Sequence, residues 1–192
     1  AIGAYTIWGL LPLYWKLIDQ VPALEIMAHR MLWCFGFLFS YLLWRRRSEL
    51  ATLKNPQLLA ALLVSGLLIG FNWFLFVWSV AAERLVEVSL GYYINPLVNV
   101  LFGVLLFRER LRRLQWLSVL LAAVGVGWLT WNLGRLPWIS LGLAFSFALY
   151  AVARKRIEVS PIAGLTAETG LLSPLCLAWL FWIGSQNTMV FA

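Results

Sequence analysis

Hydrophobic residues run along the chain in seven long stretches, each bounded by a short polar segment. The stretches cover about 1–18, 24–44, 57–82, 86–107, 114–133, 137–153 and 162–184. A helix needs about 20 mostly apolar residues to cross the hydrocarbon core of a bilayer, and these stretches are close to that length. The pattern therefore predicts an all-α, polytopic membrane bundle with seven spans in this chain.

Composition strengthens the membrane assignment. Hydrophobic residues make up 62% of the chain and charged residues only 12%, whereas soluble domains have about half and about a quarter. A water-soluble helical bundle is therefore rejected, and the lipid bilayer is the expected partner. Cys34 and Cys176 both lie inside apolar stretches, where cysteine behaves as a small hydrophobic side chain. Ala1 already belongs to an apolar stretch, so no cleavable signal peptide is expected.

Basic residues alternate between loops, and this predicts the topology. The second, fourth and sixth loops hold eleven of them, namely Arg45, Arg46, Arg47, Lys54, Arg108, Arg110, Arg112, Arg113, Arg154, Lys155 and Arg156. The first, third and fifth loops hold only Lys16, Arg84 and Arg135. Loops rich in Lys and Arg remain on the cytoplasmic side. We therefore expect the even loops and the N-terminus to be cytoplasmic, and we do not attribute the net charge of +7 to nucleic-acid binding.

A weak internal repeat predicts the domain organisation. At an offset of 139 residues, Lys16 matches Lys155, Pro22 matches Pro161 and His29 matches Glu168. Five spans separate the two copies, so the second copy would be inverted in the membrane, as in many transporters. We expect residues 1–136 to be a first five-helix repeat and residues 137–192 to be the first two helices of an incomplete second repeat. The parent protein is then expected to have about ten helices.

Span four carries polar residues that hydrocarbon disfavours. Glu87, Gly91, Asn95, Asn99 and Gly103 recur every four residues, which places them on one stripe of a helix. Pro96 is expected to bend the helix and free a backbone carbonyl. Two interpretations stay open: the stripe lines a wet cavity, or the asparagines only bind neighbouring helices together.

Span two contains the strongest functional signal. Glu25, His29 and Arg30 lie in its first two turns, and an intramembrane charge is costly unless it is paired or hydrated. An anion or carboxylate site, or half of a proton-linked ion pair, is one interpretation. The alternatives are that Arg30 and Glu25 extend to the membrane surface and that His29 is structural. Glu168, in span seven, stands one or two turns from the cytoplasmic edge. It is either a protonatable coupling residue or an interfacial acid, and we expect the second.

Aromatic and amide side chains complete the predicted binding set. Trp73 lies deep in its span, where it either stacks on a substrate or packs in the core. Gly66 and Gly70 form a GxxxG pair that permits close helix contact, and Pro12 is expected to bend span one together with Gly9. The predicted substrate-binding residues are Trp8, Glu25, His29, Arg30, Asn72, Trp73, Glu87, Tyr92, Asn95 and Asn99.

Enzyme signatures are absent from the sequence. The chain has one histidine, and its single aspartate, Asp19, lies in a loop. No GxSxG, P-loop or HExxH motif occurs. We therefore predict no catalytic residues, no metal site and no cofactor.

Several stretches resemble a known family. They are WGLLPLYWKLI, HRMLW, GFNWFLFVWSV, LGYYINPLVNVLFG, FRERLRRLQWLSVLLAAVGV and LGLAFSFALYAVARK. In order and spacing, from about residue 1 to about 175, they resemble the RarD-like permeases of the EamA family, within the drug/metabolite transporter superfamily. The resemblance implies a ten-helix permease of the bacterial inner membrane, built from two inverted five-helix repeats and loosely associated with chloramphenicol resistance.

Residues and resemblance together predict a secondary transporter working by alternating access. We expect it to export small metabolites or drugs, such as chloramphenicol-like compounds. Protons are the candidate coupling ion, carried by Glu25, His29 or Glu87, and a facilitator without coupling stays open. Two rival hypotheses are a membrane scaffold or sensor with structural polar residues, and an intramembrane enzyme acting on lipid-linked substrates.

Overall fold

A computed structural model describes residues 2–18 and 20–190, without the side chains at positions 2, 4, 5, 8, 12 and 15. The described residues form eight α-helices and no strand. The helices are α1 (Ile2–Leu17), α2 (Ala23–Arg45), α3 (Arg47–Thr52), α4 (Pro56–Ala81), α5 (Leu85–Phe107), α6 (Arg113–Leu133), α7 (Trp138–Lys155) and α8 (Pro161–Ser185).

The predicted all-α membrane bundle is confirmed. Each of the seven predicted spans is a helix, and α3 is an additional short helix inside the second loop. Five helices, α2, α4, α5, α6 and α8, are long and apolar enough to cross a membrane. Membrane crossing by α1, with 16 residues, and by α7, with 18, stays a prediction.

Local sequence explains where two of the central helices begin. The Asn55 side chain accepts a hydrogen bond from the Gln57 backbone amide before α4, and Ser160 does the same with Ala163 before α8. Proline follows both caps as the first helical residue, where its missing amide hydrogen costs nothing. The two helices therefore start at fixed points near the same end of the bundle.

Helix α4 lies at the centre of the bundle and packs against α7 and α8. Helix α2 packs along α8, and α5 packs along α7. One apolar cluster joins α2, α4 and α8 around Met31, Val77 and Leu172, and a second joins α5 to α7 around Ile94 and Ala148. Helix α6 contacts α5 and has no buried residue. The last two helices thus supply much of the core for the earlier ones.

Two glycines allow the closest helix contacts. A Cβ atom added at Gly66 would lie 3.2 Å from the backbone oxygen of Glu168 on α8. A Cβ atom at Gly91 would lie 3.2 Å from the Cα and backbone oxygen of Ser140 on α7. Since backbone atoms cannot move aside as a side-chain end can, these positions favour glycine. Gly66 thus belongs to a close α4–α8 contact, as the GxxxG pair indicated.

A Gly66→Val variant is expected to lower the free energy of unfolding by about 1–3 kcal/mol, the usual cost of overpacking. Its added methyl groups would push α4 away from the α8 backbone. Thermal unfolding in detergent micelles measures the loss. Gly125→Val is the control because no described atom lies within 4 Å of a Cβ at that mid-helix position. Equal stability of the two variants would contradict the close contact.

Polar contacts connect alternate loops at the two ends of the bundle. At one end, Lys155 lies 2.8 Å from Glu109, and Ser160 donates a hydrogen bond to Glu49 on α3. At the opposite end, Arg135 lies 2.8 Å from Glu87. The three basic loops therefore share one end, which agrees with the alternation in the sequence. Which end faces the cytoplasm stays a prediction.

Glu49 should make one part of the stability depend on pH. The hydrogen bond from Ser160, followed by the one from Arg46, holds the pKa of the Glu49 carboxyl below its usual value. A lowered folded-state pKa adds stability above the usual carboxyl pKa, and that stability is lost as pH falls through the lowered value. Glu49→Gln should therefore lower the unfolding temperature at pH 7, with the difference vanishing under acidic conditions.

The control for Glu49→Gln is Glu83→Gln. Glu83 is 80% exposed and lies 3.9 Å from Lys16, a geometry in which an ion pair contributes little. This control should unfold at the wild-type temperature throughout the pH range. A difference between wild type and Glu49→Gln that persists at pH 3 would contradict the assignment.

The helix bounds fit the predicted repeat. Shifted by 139 residues, α2 covers 162–184, and α8 covers Pro161–Ser185. Each of the two helices begins at or directly after a proline, Pro22 or Pro161. The division into residues 1–136 and 137–192 stays a prediction that this correspondence supports.

Candidate functional site

A cavity of about 530 Å³ lies between α1 and α2. Its volume falls within the range of small-molecule sites, about 300–1,000 Å³. The apolar and aromatic lining comes from both helices, Tyr14 of α1 adds a hydroxyl, and the guanidinium and imidazole groups come from α2. The lining residues are Leu11, Tyr14, Ile18, Ile26, His29, Arg30 and Trp33. Two of the predicted binding residues, His29 and Arg30, therefore lie at one cavity.

Arg30 occupies a position suited to an anion. Its guanidinium lies 4.2 Å from the ring centroid of Trp73 on α4, so the cation is held against an aromatic face. Among the described residues, which leave out Asp19, no carboxylate forms an ion pair with Arg30. Arg30 lies seven residues into α2, about 10 Å along the helix. Its planar guanidinium fits a carboxylate with two parallel hydrogen bonds.

The cavity combines a cationic group with a mostly apolar wall. No acidic residue is among the described residues of the lining, and Trp33, Trp73 and Tyr14 supply aromatic surface on or beside it. Such a wall favours the apolar body of a molecule, while Arg30 favours its negative end. The arrangement suits a small amphipathic anion. Three of the predicted substrate-binding residues, His29, Arg30 and Trp73, therefore lie at or beside this cavity.

Glu25 lies one turn before His29 and is not among the described residues that line this cavity. Its side chain is buried, and its two carboxylate oxygens accept the Val190 backbone amide at 3.0 and 3.2 Å. It therefore attaches the segment after α8 to the start of α2.

Asn72 is adjacent to Trp73 in sequence but points toward α7. Its side-chain amide donates to the Leu143 carbonyl and the Ser146 hydroxyl, both at 2.9 Å. This is the interhelical contact that the scaffold interpretation predicted for polar residues.

Glu87 is buried in a cluster of ion pairs at the loop end of α5. Its Oε1 atom lies 2.7 Å from Arg84 and 2.8 Å from Arg135. Its backbone oxygen accepts a hydrogen bond from Ser140 on α7. The cluster joins the α4–α5 turn to the α6–α7 turn and is separate from the Arg30 cavity lining.

The central part of α5 forms another group. Asn99 donates to Asn95 at 3.0 Å, and Asn99 also lines a cavity of about 210 Å³ between α5 and α7. Pro96 lies inside α5, which continues as a helix on either side of it, and faces a separate hollow between α5 and α6. Tyr92 is exposed and contacts Phe76 edge-on. Both interpretations of the asparagine stripe remain predictions.

Two predicted positions lie outside the described side chains. Trp8 and Pro12 belong to α1, whose backbone is described, and α1 continues as a helix through Pro12.

Glu168 differs from the expectation. The preferred interpretation was an interfacial acid, but its side chain is 1% exposed and lies between α4 and α7. The alternative, a protonatable coupling residue, stays a prediction. The Glu168 Oε1 atom accepts the Ser65 hydroxyl at 2.6 Å and lies 3.7 Å from Arg154. The signal that would have identified this site is the match of Glu168 to His29 in the repeat.

Metal binding finds no support in the described part of the chain, where no three His, Cys, Asp or Glu side chains form a group that could hold an ion.

The chain matches a transporter family and several proteins named RarD. The EamA-like transporter family matches residues 1–131. The RarD protein of Salmonella typhimurium strain LT2 is 47% identical over 98% of this chain and 65% of its own length. The Escherichia coli K12 RarD protein is 48% identical, over 98% and 64%. The chloramphenicol-sensitive protein RarD of Pseudomonas aeruginosa is 31% identical, over 97% and 64%.

These matches show which family the chain belongs to and how much of the relatives' length it spans. The chain spans slightly less than two thirds of the length of these relatives. No solved structure matches it. The family profile covers more than half of the chain, through the first five predicted spans. The RarD matches extend the similarity over nearly all of it. The chain belongs to the EamA-like transporter family.

Proposed function

We propose that the protein is a secondary transporter of small amphipathic anions, with Arg30 as the group that binds the negative end of the substrate. The observation that carries this proposal is the cavity between α1 and α2. A guanidinium without an ion-pair partner among the described residues lies there beside aromatic and aliphatic surface. A carboxylate attached to an apolar or aromatic body fits this chemistry.

The proposed location of the transporter is the bacterial inner membrane, with the N-terminus in the cytoplasm. The three basic loops share one end of the bundle, and the positive-inside rule assigns that end to the cytoplasm. The proposed direction is export of metabolites or drugs. Chloramphenicol-like compounds are candidate cargo because one relative is named chloramphenicol-sensitive protein RarD. Alternating access would move one inverted repeat against the other around the site.

Proton coupling is part of the same proposal. The buried carboxylates Glu25, Glu87 and Glu168 are each 1% exposed, and a carboxylate inside a membrane protein is a natural proton carrier. A transporter without coupling would accumulate nothing against a gradient but would still exchange substrate.

Substrate counterflow in proteoliposomes tests the proposal. The full-length natural chain is reconstituted, loaded with one unlabelled compound at a time and supplied with the labelled compound outside. The panel contains amino acids, aromatic and aliphatic carboxylates, and chloramphenicol-like aromatics, with and without a pH gradient. Saturable uptake that carboxylates inhibit is expected. The 192-residue chain is reconstituted in parallel.

A second candidate function, a membrane scaffold, is favoured by one observation. Asn72 binds α7 directly, as a purely structural polar residue would. Absence of flux for every compound, from protein that unfolds cooperatively on heating, would reject the transporter proposal and favour the scaffold.

A further inference from the structure

We propose that Glu168 is the proton-binding site of this protein and that Arg154 and Ser65 form the site around it. This inference rests on the proposed transport function, because it names the residue through which a proton gradient would act. The three side chains come from α8, α7 and α4, so the site joins the central helix to the last two helices.

The carboxylate is deep in the bundle. Glu168 lies seven residues after the start of α8, about 10 Å along the helix, and its side chain is 1% exposed. The backbone of Glu168 packs directly on Gly66 of α4. A carboxylate held this far from water and without tight charge pairing can bind a proton without leaving the protein interior.

The two carboxylate oxygens have different surroundings. The Oε1 atom accepts the Ser65 hydroxyl at 2.6 Å and lies 3.7 Å from Nε of Arg154. The Oε2 atom has the Tyr150 hydroxyl at 3.5 Å, the outer limit of a hydrogen bond. A proton from solution would bind at Oε2, turning the carboxylate into a neutral carboxylic acid, and the new O–H group could then donate to Tyr150.

Arg154 makes the site sensitive to that proton. One of its guanidinium nitrogens, Nη1, is buried without a hydrogen-bond partner among the described residues. The guanidinium lies directly against Gly164 of α8, where an added Cβ would collide with it. When Glu168 is neutral, a partly buried cation on α7 no longer has its counter-charge on α8. Proton binding therefore weakens the attachment of α7 to α8.

Few titratable side chains surround the Glu168 carboxylate among the described residues. From α7 it faces Arg154 and Tyr150, and from α4 it faces Ser65. Helix α2 also packs along α8, and Phe35 lies against Gly170. Between residues 35 and 43 of α2 the only titratable side chain is Tyr41, which is exposed. One carboxylate and one guanidinium therefore dominate the local charge.

Comparison with Glu87 explains why Glu168 is the better proton carrier. Glu87 has two arginines at 2.7 and 2.8 Å, and protonating it would leave two positive charges without a counter-charge. Glu168 has one arginine at 3.7 Å, and its shortest contact is with a neutral hydroxyl. Hydrogen bonds between charged groups are stronger than neutral ones. The carboxylate that makes fewer of them therefore binds a proton more easily.

Two readouts on the full-length natural chain test the inference. In proteoliposomes, Glu168→Gln should keep substrate counterflow while uptake driven by a pH gradient falls at least ten-fold. In infrared difference spectra between acidic and alkaline pH, the protonated carboxyl band of wild type should be missing from Glu168→Gln. Glu109→Gln is the control because Glu109 is half exposed and pairs with Lys155 near the same end. It should match wild type in both readouts.

A second variant keeps the test decisive if Glu168→Gln fails to fold. Ser65→Ala removes the 2.6 Å hydrogen bond from the Ser65 hydroxyl to the Glu168 carboxyl, so the position of the infrared carboxyl band should differ from that of wild type. Unchanged gradient-driven uptake in Glu168→Gln, or a carboxyl band that neither variant alters, would overturn the inference. Lack of any flux in wild type would reject the transport proposal, while the infrared result would still decide the proton site.

Discussion

Arg30→Ala is expected to reduce uptake of an anionic substrate by about 100-fold at concentrations below saturation. A hydrogen bond to a charged group contributes about 1.5–3 kcal/mol, and every 1.4 kcal/mol is a factor of ten in affinity. Alanine removes both the charge and the donors that face the cavity between α1 and α2. The loss should appear mainly for substrates that carry a carboxylate.

Arg30→Lys separates the charge of Arg30 from its shape. Lysine keeps the positive charge but loses the planar group that stacks on Trp73 at 4.2 Å and that binds a carboxylate with two parallel bonds. Its uptake should lie between wild type and Arg30→Ala. Arg110→Ala, in an exposed loop, is the control and should transport as wild type does. Wild-type uptake by folded Arg30→Ala would remove Arg30 from the binding site.

The double variant Arg84→Met/Arg135→Met is expected to lose about 3–5 kcal/mol of stability, as when one side of a buried ion pair is removed. It leaves the buried Glu87 carboxylate without either of the arginines that contact it. Arg135 is 59% exposed, so water screens its share and Arg84 should supply the larger part. The free energy of unfolding in mixed micelles measures the effect.

Adding Glu87→Gln to that double variant should restore most of the lost stability. The triple variant has lost all three charged groups, so it no longer buries an unpaired charge. If the double variant is as stable as wild type, Glu87 is not held by this ion-pair cluster. If the triple variant is no more stable than the double, the loss comes from packing of the arginine side chains and not from the buried charge.

Hydrophobic pattern was sufficient to locate the helices. All seven stretches became helices because a long apolar run bounded by charge has few other structures available in lipid. The pattern missed α3, a six-residue helix in a polar loop, because no apolar periodicity marks so short an element. It also could not show that α4 packs against α7 and α8, since all of these helices are apolar around most of their circumference.

The site was predictable only in part, because sequence position does not determine which way a side chain points. Asn72 and Trp73 are neighbours, yet Asn72 binds α7 and Trp73 stacks on Arg30 from α2. Glu168 was expected near the interface because it lies close to the end of its span. Its burial depends on Gly66 of α4, 102 residues earlier, where the absence of a side chain lets the two helices meet.

The central position of α4 also has a consequence for biogenesis. Ser65 and its partner Glu168 are 103 residues apart, and at about 5–20 residues per second of synthesis that separation is about 5–20 s of translation. During this interval α4 is complete while α7 and α8 are still being made, so Ser65 and Asn72 lack their final hydrogen-bond partners. A ribosome that stalls after α6 would leave the most central helix with its polar face uncovered. Such a product should be a target for membrane proteases, and co-expressing residues 137–192 as a separate chain should protect it.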